Sequence, residues 1–346
     1  MKAAVLYELG KPLRWMDVPT PIPTPDQALV QVMACGIDGT DLKILEGFGY
    51  TPQLPAIIGH EIAGIVSQVG ERVTRFKPGE RVVIYNFVNC GSCPLCLLGR
   101  DQICANLKGV MGAKGLPGGY SEYVSVQENQ LVALPENVPW PDAATCCDAG
   151  LTTVHALDRA RLKLGESVLV IGTGGVGSVT LQLANAMGAF VIGVNRTAKR
   201  QQWAYANGAD VVLNSGEVDI PSAVLELTHG LGVDCVLDVV GNRETISCGV
   251  ASLRHGGRLV IVGYTPETYP VEGKYFAQNE LELIGTRAGS KQDLIRTVQL
   301  MANGTIKSVV TDTFPMEEAN EALKHLSAGQ SHGRIIMLSP AGQQAV

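Results

Sequence analysis

The spacing of apolar positions along the chain changes character near residue 150. Beyond it, short β-branched apolar runs alternate with longer stretches whose apolar residues return at helical spacing. Strands are predicted over residues 167–171, 190–194, 211–213, 235–239, 258–262 and 281–285. Runs without polar alternation suit strands buried on both faces of a parallel sheet. Their alternation with helices predicts an α/β, doubly wound sheet. Residues 1–150 are patterned differently. Strand-like runs at 28–34, 63–69, 81–84 and 120–126 are separated by Pro and Gly signals, so this part is expected to be β-rich. Pro19, Pro21, Pro23 and Pro25 form a stiff extended segment. After about 286 come a helix at 292–302, a second at 316–327 and a closing strand at 333–338, with a loose tail expected at 341–346.

The first apolar run of the second part leads into Gly172, Gly174 and Gly177, spaced G-x-G-x-x-G. Val176, Val179, Leu183, Ala184 and Met187 then mark a helix, with Gly188 as its stop. Strand, glycine turn, helix and second strand in that order point to dinucleotide binding. One glycine makes the turn, one lets the backbone approach a pyrophosphate, and one permits close helix–strand packing. The first helical residues, Gly175 and Val176, present free N–H groups to the phosphates. A glycine-rich structural turn in another α/β unit is the competing reading. After the second strand comes Asn195, where an acidic residue would bind the ribose 2′-hydroxyl. Arg196, Lys199 and Arg200 follow, which favours NADP(H) over NAD(H). The alternative is a solvated basic start to the next helix.

Composition narrows the class. A chain of 346 residues has room for two domains, and 46% hydrophobic with 17% charged residues suits a packed soluble enzyme. A net charge of −6 without a basic stripe argues against nucleic-acid binding. No apolar run reaches membrane-spanning length, and the first residues alternate like a strand rather than a signal peptide, so a cytoplasmic location is expected. Of nine cysteines, Cys90, Cys93, Cys96 and Cys104 are grouped closely enough to hold one ion. Four thiolates close a tetrahedral zinc site without an open position, so this zinc is structural.

Two further stretches carry chemistry, residues 35–43 (CGIDGTDLK) and 58–61 (IGHE), and a third candidate is Asp148. Asp38, His60 and Asp148 make a three-ligand set for a zinc that leaves one position open for a substrate oxygen.

These pieces together resemble the zinc-containing medium-chain alcohol dehydrogenase family. The likeness rests on GIDGTD at 36–41, GHEIAG at 59–64, the four-cysteine lobe, GTGGVG at 172–177 and the closing FPMEEANEAL…GRIIM, and it spans essentially the whole chain. The resemblance implies a GroES-like β-barrel-type catalytic domain over 1–150 and 287–346, flanking a Rossmann domain over 151–286. It also implies a homodimer or homotetramer joined through the Rossmann sheets. By the same resemblance Asp38 stands at the first ligand of a catalytic zinc, His60 at the second and Asp148 at the third. Glu61 matches a carboxylate that exchanges onto the metal, Thr40 the hydroxyl that takes the alcohol proton, and Asp41 the carboxylate that orients His60.

Two positions depart from the family pattern. Asp38 replaces the usual cysteine, a harder ligand that keeps zinc competent but opens the site to other divalent ions. Lys43 replaces the histidine that commonly ends the proton relay. Cys35, Cys146 and Cys147 lie near the ligands in sequence, either as buried packing residues or with one of them replacing a carboxylate on the metal. The expected function is hydride transfer between NADP(H) and a small alcohol or carbonyl. Reduction of an activated C=C bond without catalytic zinc, and cofactor binding without turnover, are the alternatives.

Overall fold

The computed structural model describes residues 1–345, the side chain of Ala198 excepted. The chain divides into two compact units, one of Met1–Asp148, Ser290–Gly304 and Ser308–Val346, the other of Ala149–Gly289 and Thr305–Lys307. Among the described residues no helix is long and apolar enough to cross a membrane.

The second unit is built on six parallel strands. Their spatial order is Val211–Asn214, Phe190–Asn195, Ser167–Ile171, Val233–Asp238, Leu253–Ile261 and Glu282–Gly285. This is the doubly wound α/β order, with the chain reversing direction of growth beside the Ser167–Ile171 strand. Val168, Leu169 and Val170 are fully buried there, as a strand covered on both faces requires. Leu169, Ile192, Val224, Val236 and Leu259 meet in the core beneath the helices. The strand Leu253–Ile261 begins five residues before the predicted 258, because Leu253 pairs with Val233 across a bulge ahead of the apolar run.

The first unit centres on the strand Gln27–Ile37, which pairs with Glu61–Val69 on one side and Arg334–Leu338 on the other, both antiparallel. It continues through Cys35 to Ile37, past the predicted end at 34, because the closing strand sits against that end with Met337 opposite Cys35 and Ile335 opposite Ile37. Residues about 300 positions apart thus meet at the edge of the candidate site. Gly36 lies opposite both Glu61 and Ile336. A Cβ on Gly36 would fall 1.8 Å from Glu61 Oε2, so this position has to be glycine for that carboxylate to sit where it does.

The expected loose tail is ordered through its first half. Pro340–Gln343 is a short helix whose N-cap, Ser339, accepts the Gly342 N–H at 3.1 Å. Gly342 packs so closely that a Cβ would meet the Met33 carbonyl at 1.9 Å. The capping serine, the helix-starting proline and the absent side chain together dock the tail on the central strand. Val346 lies outside the described residues.

Candidate active site, metal sites and cofactor site

The four-cysteine lobe lies between the strands Phe87–Val88 and Gly109–Met111. Its sulfurs are separated by 3.5 Å (Cys90–Cys104 and Cys93–Cys96), 3.9 Å (Cys93–Cys104) and 4.0 Å (Cys90–Cys96). Four sulfurs about 2.3 Å from one tetrahedral zinc stand roughly 3.8 Å apart, so the cluster fits zinc without rearrangement. The N–H of Cys93 donates to Cys90 Sγ at 3.3 Å, and that of Cys90 to Cys104 Sγ at 3.4 Å. Backbone donors at Ser92 and Cys93 pull the Cys90 thiol down to about 5, the thiolate form a metal needs.

At the end of the central strand Asp38 caps the helix Gly39–Leu45. Its Oδ1 accepts the N–H groups of Thr40 at 2.8 Å and Asp41 at 3.3 Å, and its Oδ2 accepts the Thr40 hydroxyl at 3.1 Å. Asp41, fully buried, returns its Oδ2 to the Asp38 N–H at 3.0 Å. The pair is a capping box, and it locks the Asp38 carboxylate in place. His60 lies directly before the strand Glu61–Val69 and is buried. Its Nε2 is 3.8 Å from Asp38 Oδ1 and its Nδ1 is 3.6 Å from Asp41 Oδ1. Asp148 comes from a π-helical turn, Cys146–Gly150, between the helices Trp140–Thr145 and Leu151–Ala160. Such turns shift side chains out of helical register and are often functional.

Asp38, His60, Glu61 and Asp148 each offer a ligand atom, and these atoms all lie within 4.8 Å of one another. Nitrogen and oxygen donors about 2.0–2.2 Å from a common zinc are roughly 3.3–3.6 Å apart, so the group is somewhat wider than a closed zinc site. Lys43 is half-buried on the same helix and faces Asp38, Asp148 and Glu46, with burial pulling its pKa down. None of Cys35, Cys146 and Cys147 belongs to this donor group among the described residues. Each is buried; Cys147 donates to the Ile62 carbonyl at 3.3 Å, and burial pushes its thiol up to about 12. They are packing residues here.

The sequence pattern does not single out Arg334, yet it enters the centre of this group. It opens the closing strand, is 5% exposed, and pairs with Glu61 and, at 2.6 Å, with Asp148 Oδ2; Asp38 Oδ2 is 4.0 Å from its other nitrogen. The only sequence signal was a charged residue opening a strand of otherwise apolar residues, which implies a buried counter-ion. Burial pushes the Glu61 carboxyl well up, against the pull of Arg334. Burial disfavours charge on His60, but Asp38, Asp41 and Asp148 outweigh it and raise its pKa well above the usual value. A field that draws a proton to the imidazole also draws a metal cation, and the two compete.

In the second unit Gly172 turns at φ +92°, and a Cβ on Gly177 would meet the Gly172 carbonyl oxygen at 1.9 Å. Space beside Gly174 is open, and the helix Gly175–Ala186 begins there without a side-chain cap, leaving its first N–H groups for an anion. The Thr173 hydroxyl and both amide atoms of Asn195 are buried without a hydrogen-bond partner. Arg196 and Lys199 are exposed, and Arg200 is half-buried, its pKa lowered by burial and by the neighbouring charge of Arg196. Orphaned polar groups beside an open glycine cradle fit a nicotinamide dinucleotide.

The comparisons with known proteins agree with this geometry. Residues 24–136 match the alcohol dehydrogenase GroES-like domain, and residues 175–303 match the zinc-binding dehydrogenase domain. The NAD-dependent alcohol dehydrogenase of Sulfolobus acidocaldarius is 36% identical over 346 residues, covering 97% of this chain and 99% of that protein. The alcohol dehydrogenase of Aeropyrum pernix superposes with a TM-score of 0.91 at 31% identity, covering 98% of this chain and all of that one. A zinc-binding dehydrogenase from Sinorhizobium meliloti, solved bound to NADP, superposes at 0.90 with 31% identity, covering 97% and 98%. The chain belongs to the zinc-containing medium-chain alcohol dehydrogenases, nicotinamide-dependent oxidoreductases that act on small-molecule alcohols.

Proposed function

We propose that this protein is an NADP(H)-preferring alcohol dehydrogenase or carbonyl reductase whose catalytic zinc is held by Asp38, His60 and Asp148, with Glu61 within exchange distance. In this reading residues 1–150 and 287–346 form the catalytic domain and 151–286 the dinucleotide-binding domain. The observation that carries it is the compact donor group of Asp38, His60, Glu61 and Asp148. When bound, zinc supplies a Lewis acid and the nicotinamide a hydride acceptor. The chain's own residues do the rest. Asp41 and Asp38 orient His60. Arg334 fixes the directions of Asp148 and Glu61. Thr40, anchored by its hydroxyl on Asp38, takes the alcohol proton, and Lys43 lies on the same helix to pass it outward.

The NADP(H) preference rests on Asn195, on the absence of a carboxylate beside it, and on Arg196, Lys199 and Arg200. Burial and the neighbouring Arg196 disfavour charge on Arg200, and a 2′-phosphate dianion would relieve that cost. Three curated relatives are named NAD-dependent and one structural neighbour was solved with NADP, so likeness alone does not decide the cofactor. Arg196→Ala should weaken NADPH by roughly tenfold or more and NADH little, since a charge-assisted hydrogen bond contributes about 1.5–3 kcal/mol. Native kcat/KM higher for NADH than for NADPH overturns the preference.

One observation favours the second reading, C=C reduction without a catalytic metal: Arg334 already pairs with Asp148 and Glu61. Metal analysis separates the two. Zinc confined to the four-cysteine lobe, with full activity on enones, supports the reductase. The strand Glu282–Gly285 pairs only with Leu253–Ile261 among the described residues. That open edge supports a homodimer or homotetramer joined through the sheets, which light scattering measures directly. All nine cysteines are free, which supports a cytoplasmic setting.

A further inference from the structure

Behind His60 lie three side-chain atoms shut off from solvent and without a partner in hydrogen-bond geometry: Asp41 Oδ1, His60 Nδ1 and the Tyr120 hydroxyl. Asp41 Oδ2 is occupied by the Asp38 N–H, so Oδ1 is the atom left to face His60 Nδ1, 3.6 Å away. Burial, and the charge of the nearby Asp41, push the Tyr120 hydroxyl well above its usual pKa. Its ring cannot wander. Tyr120 is fully buried, its N–H donates to the Ile58 carbonyl at 3.0 Å, and its carbonyl accepts the Ala4 N–H at 2.8 Å. The ring lies flush on Gly59, the residue before His60: a Cβ there would come within 2.2 and 2.5 Å of two ring carbons. Gly59 is also held at φ +94°, so the same residue both seats the ring and turns the chain into His60.

We propose that Tyr120 is a positioning residue for His60, acting through Asp41. Its hydroxyl is the donor available to the unpartnered Asp41 carboxylate, which keeps Oδ1 aimed at His60 Nδ1 and so leaves Nε2 facing the donor group of Asp38, Glu61 and Asp148. A buried carboxylate with one donor fewer turns to satisfy its lone pairs elsewhere, and the imidazole turns with it. The proposal rests on the metal reading given above.

The test is cobalt(II) titration of the protein with zinc retained in the four-cysteine lobe. The second site offers no thiolate, so its visible band comes without sulfur-to-metal charge transfer. Tyr120→Phe keeps the ring on Gly59 and removes only the hydroxyl. It should weaken cobalt binding roughly tenfold, the low end of outer-ligand effects, shift the band, and leave the melting temperature unchanged. Asp41→Asn should weaken binding by itself, and adding Y120F to it should change nothing further. Native cobalt affinity and spectrum in Y120F overturn the proposal alone, as does an equal Y120F effect with and without Asp41→Asn. A native protein that binds no cobalt outside the four-cysteine lobe overturns the metal reading and this proposal with it.

Discussion

At the scale of residues, the candidate centre is a balance of buried charges rather than a set of ligands. Arg334 is the buried guanidinium that pairs with Glu61 and Asp148 and lies near Asp38. Arg334→Met should therefore destabilise the metal-free protein by about 3 kcal/mol or more, because breaking a buried pair strands its partners. Calorimetry of chelated and loaded protein measures this, and the loss should shrink when a divalent ion is bound. Arg334→Lys keeps the charge but not the fork that spans Glu61 and Asp148, and should fall between the two. For the ligands, His60→Ala and Asp38→Ala should each lose one metal per chain while keeping the fold. Activity should drop by orders of magnitude, since a Lewis acid contributes several kcal/mol to the transition state. Asp38→Cys should retain metal, because thiolate is a softer ligand for zinc, although the cap on the helix Gly39–Leu45 is weakened.

At the scale of elements, the glycine-dependent turn at Gly172–Gly177 and the cysteine lobe are the parts most exposed to single changes. Gly177→Ala drives a methyl into the Gly172 carbonyl oxygen, so the turn must open where the pyrophosphate is expected. Fluorescence titration should show NADPH binding weakened at least tenfold, with unit melting little changed. Cys96→Ser leaves three sulfurs and an imperfect tetrahedron. The lobe between Val88 and Gly109 has only the short Pro94–Leu97 helix and the Asp101–Ile103 turn of its own, so metal binding and local folding are one event. Zinc content should fall by one per chain and proteolysis should begin in residues 89–108; full zinc with unchanged melting would contradict this.

At the scale of the whole molecule, the candidate site depends on closure of the first unit by the end of the chain. The strand Arg334–Leu338 completes the sheet beside Gln27–Ile37 and delivers Arg334 to the carboxylates of Glu61 and Asp148, far earlier in the chain. Truncation before residue 334 should therefore remove both the sheet partner and the counter-ion, giving insoluble protein even though the doubly wound unit is left whole. Metal analysis of the full chain should return two equivalents, lost independently in Cys96→Ser and His60→Ala.

Local chemistry was legible from the residues alone. Glycine spacing between an apolar run and a helical pattern marked the dinucleotide turn, because only glycine tolerates those close approaches. Four clustered cysteines marked a zinc lobe, because ligand spacing is itself a short-range property. Unbroken apolar runs between stretches of period 3.6 placed the parallel strands of the second unit to within about five residues. Long-range pairing decided the rest. The central strand ran past 34 because a partner from the far end of the chain covered it, and the tail became ordered because Gly342 found the Met33 carbonyl. Arg334 offered almost no signal, since a lone arginine acquires meaning only from the carboxylates that the fold brings to it. Whether Asp38 stands as a helix cap, a metal ligand or both is likewise set by tertiary structure: its sequence neighbours supply the capping donors, and His60, Asp148 and Arg334 reach it only through the folded sheet.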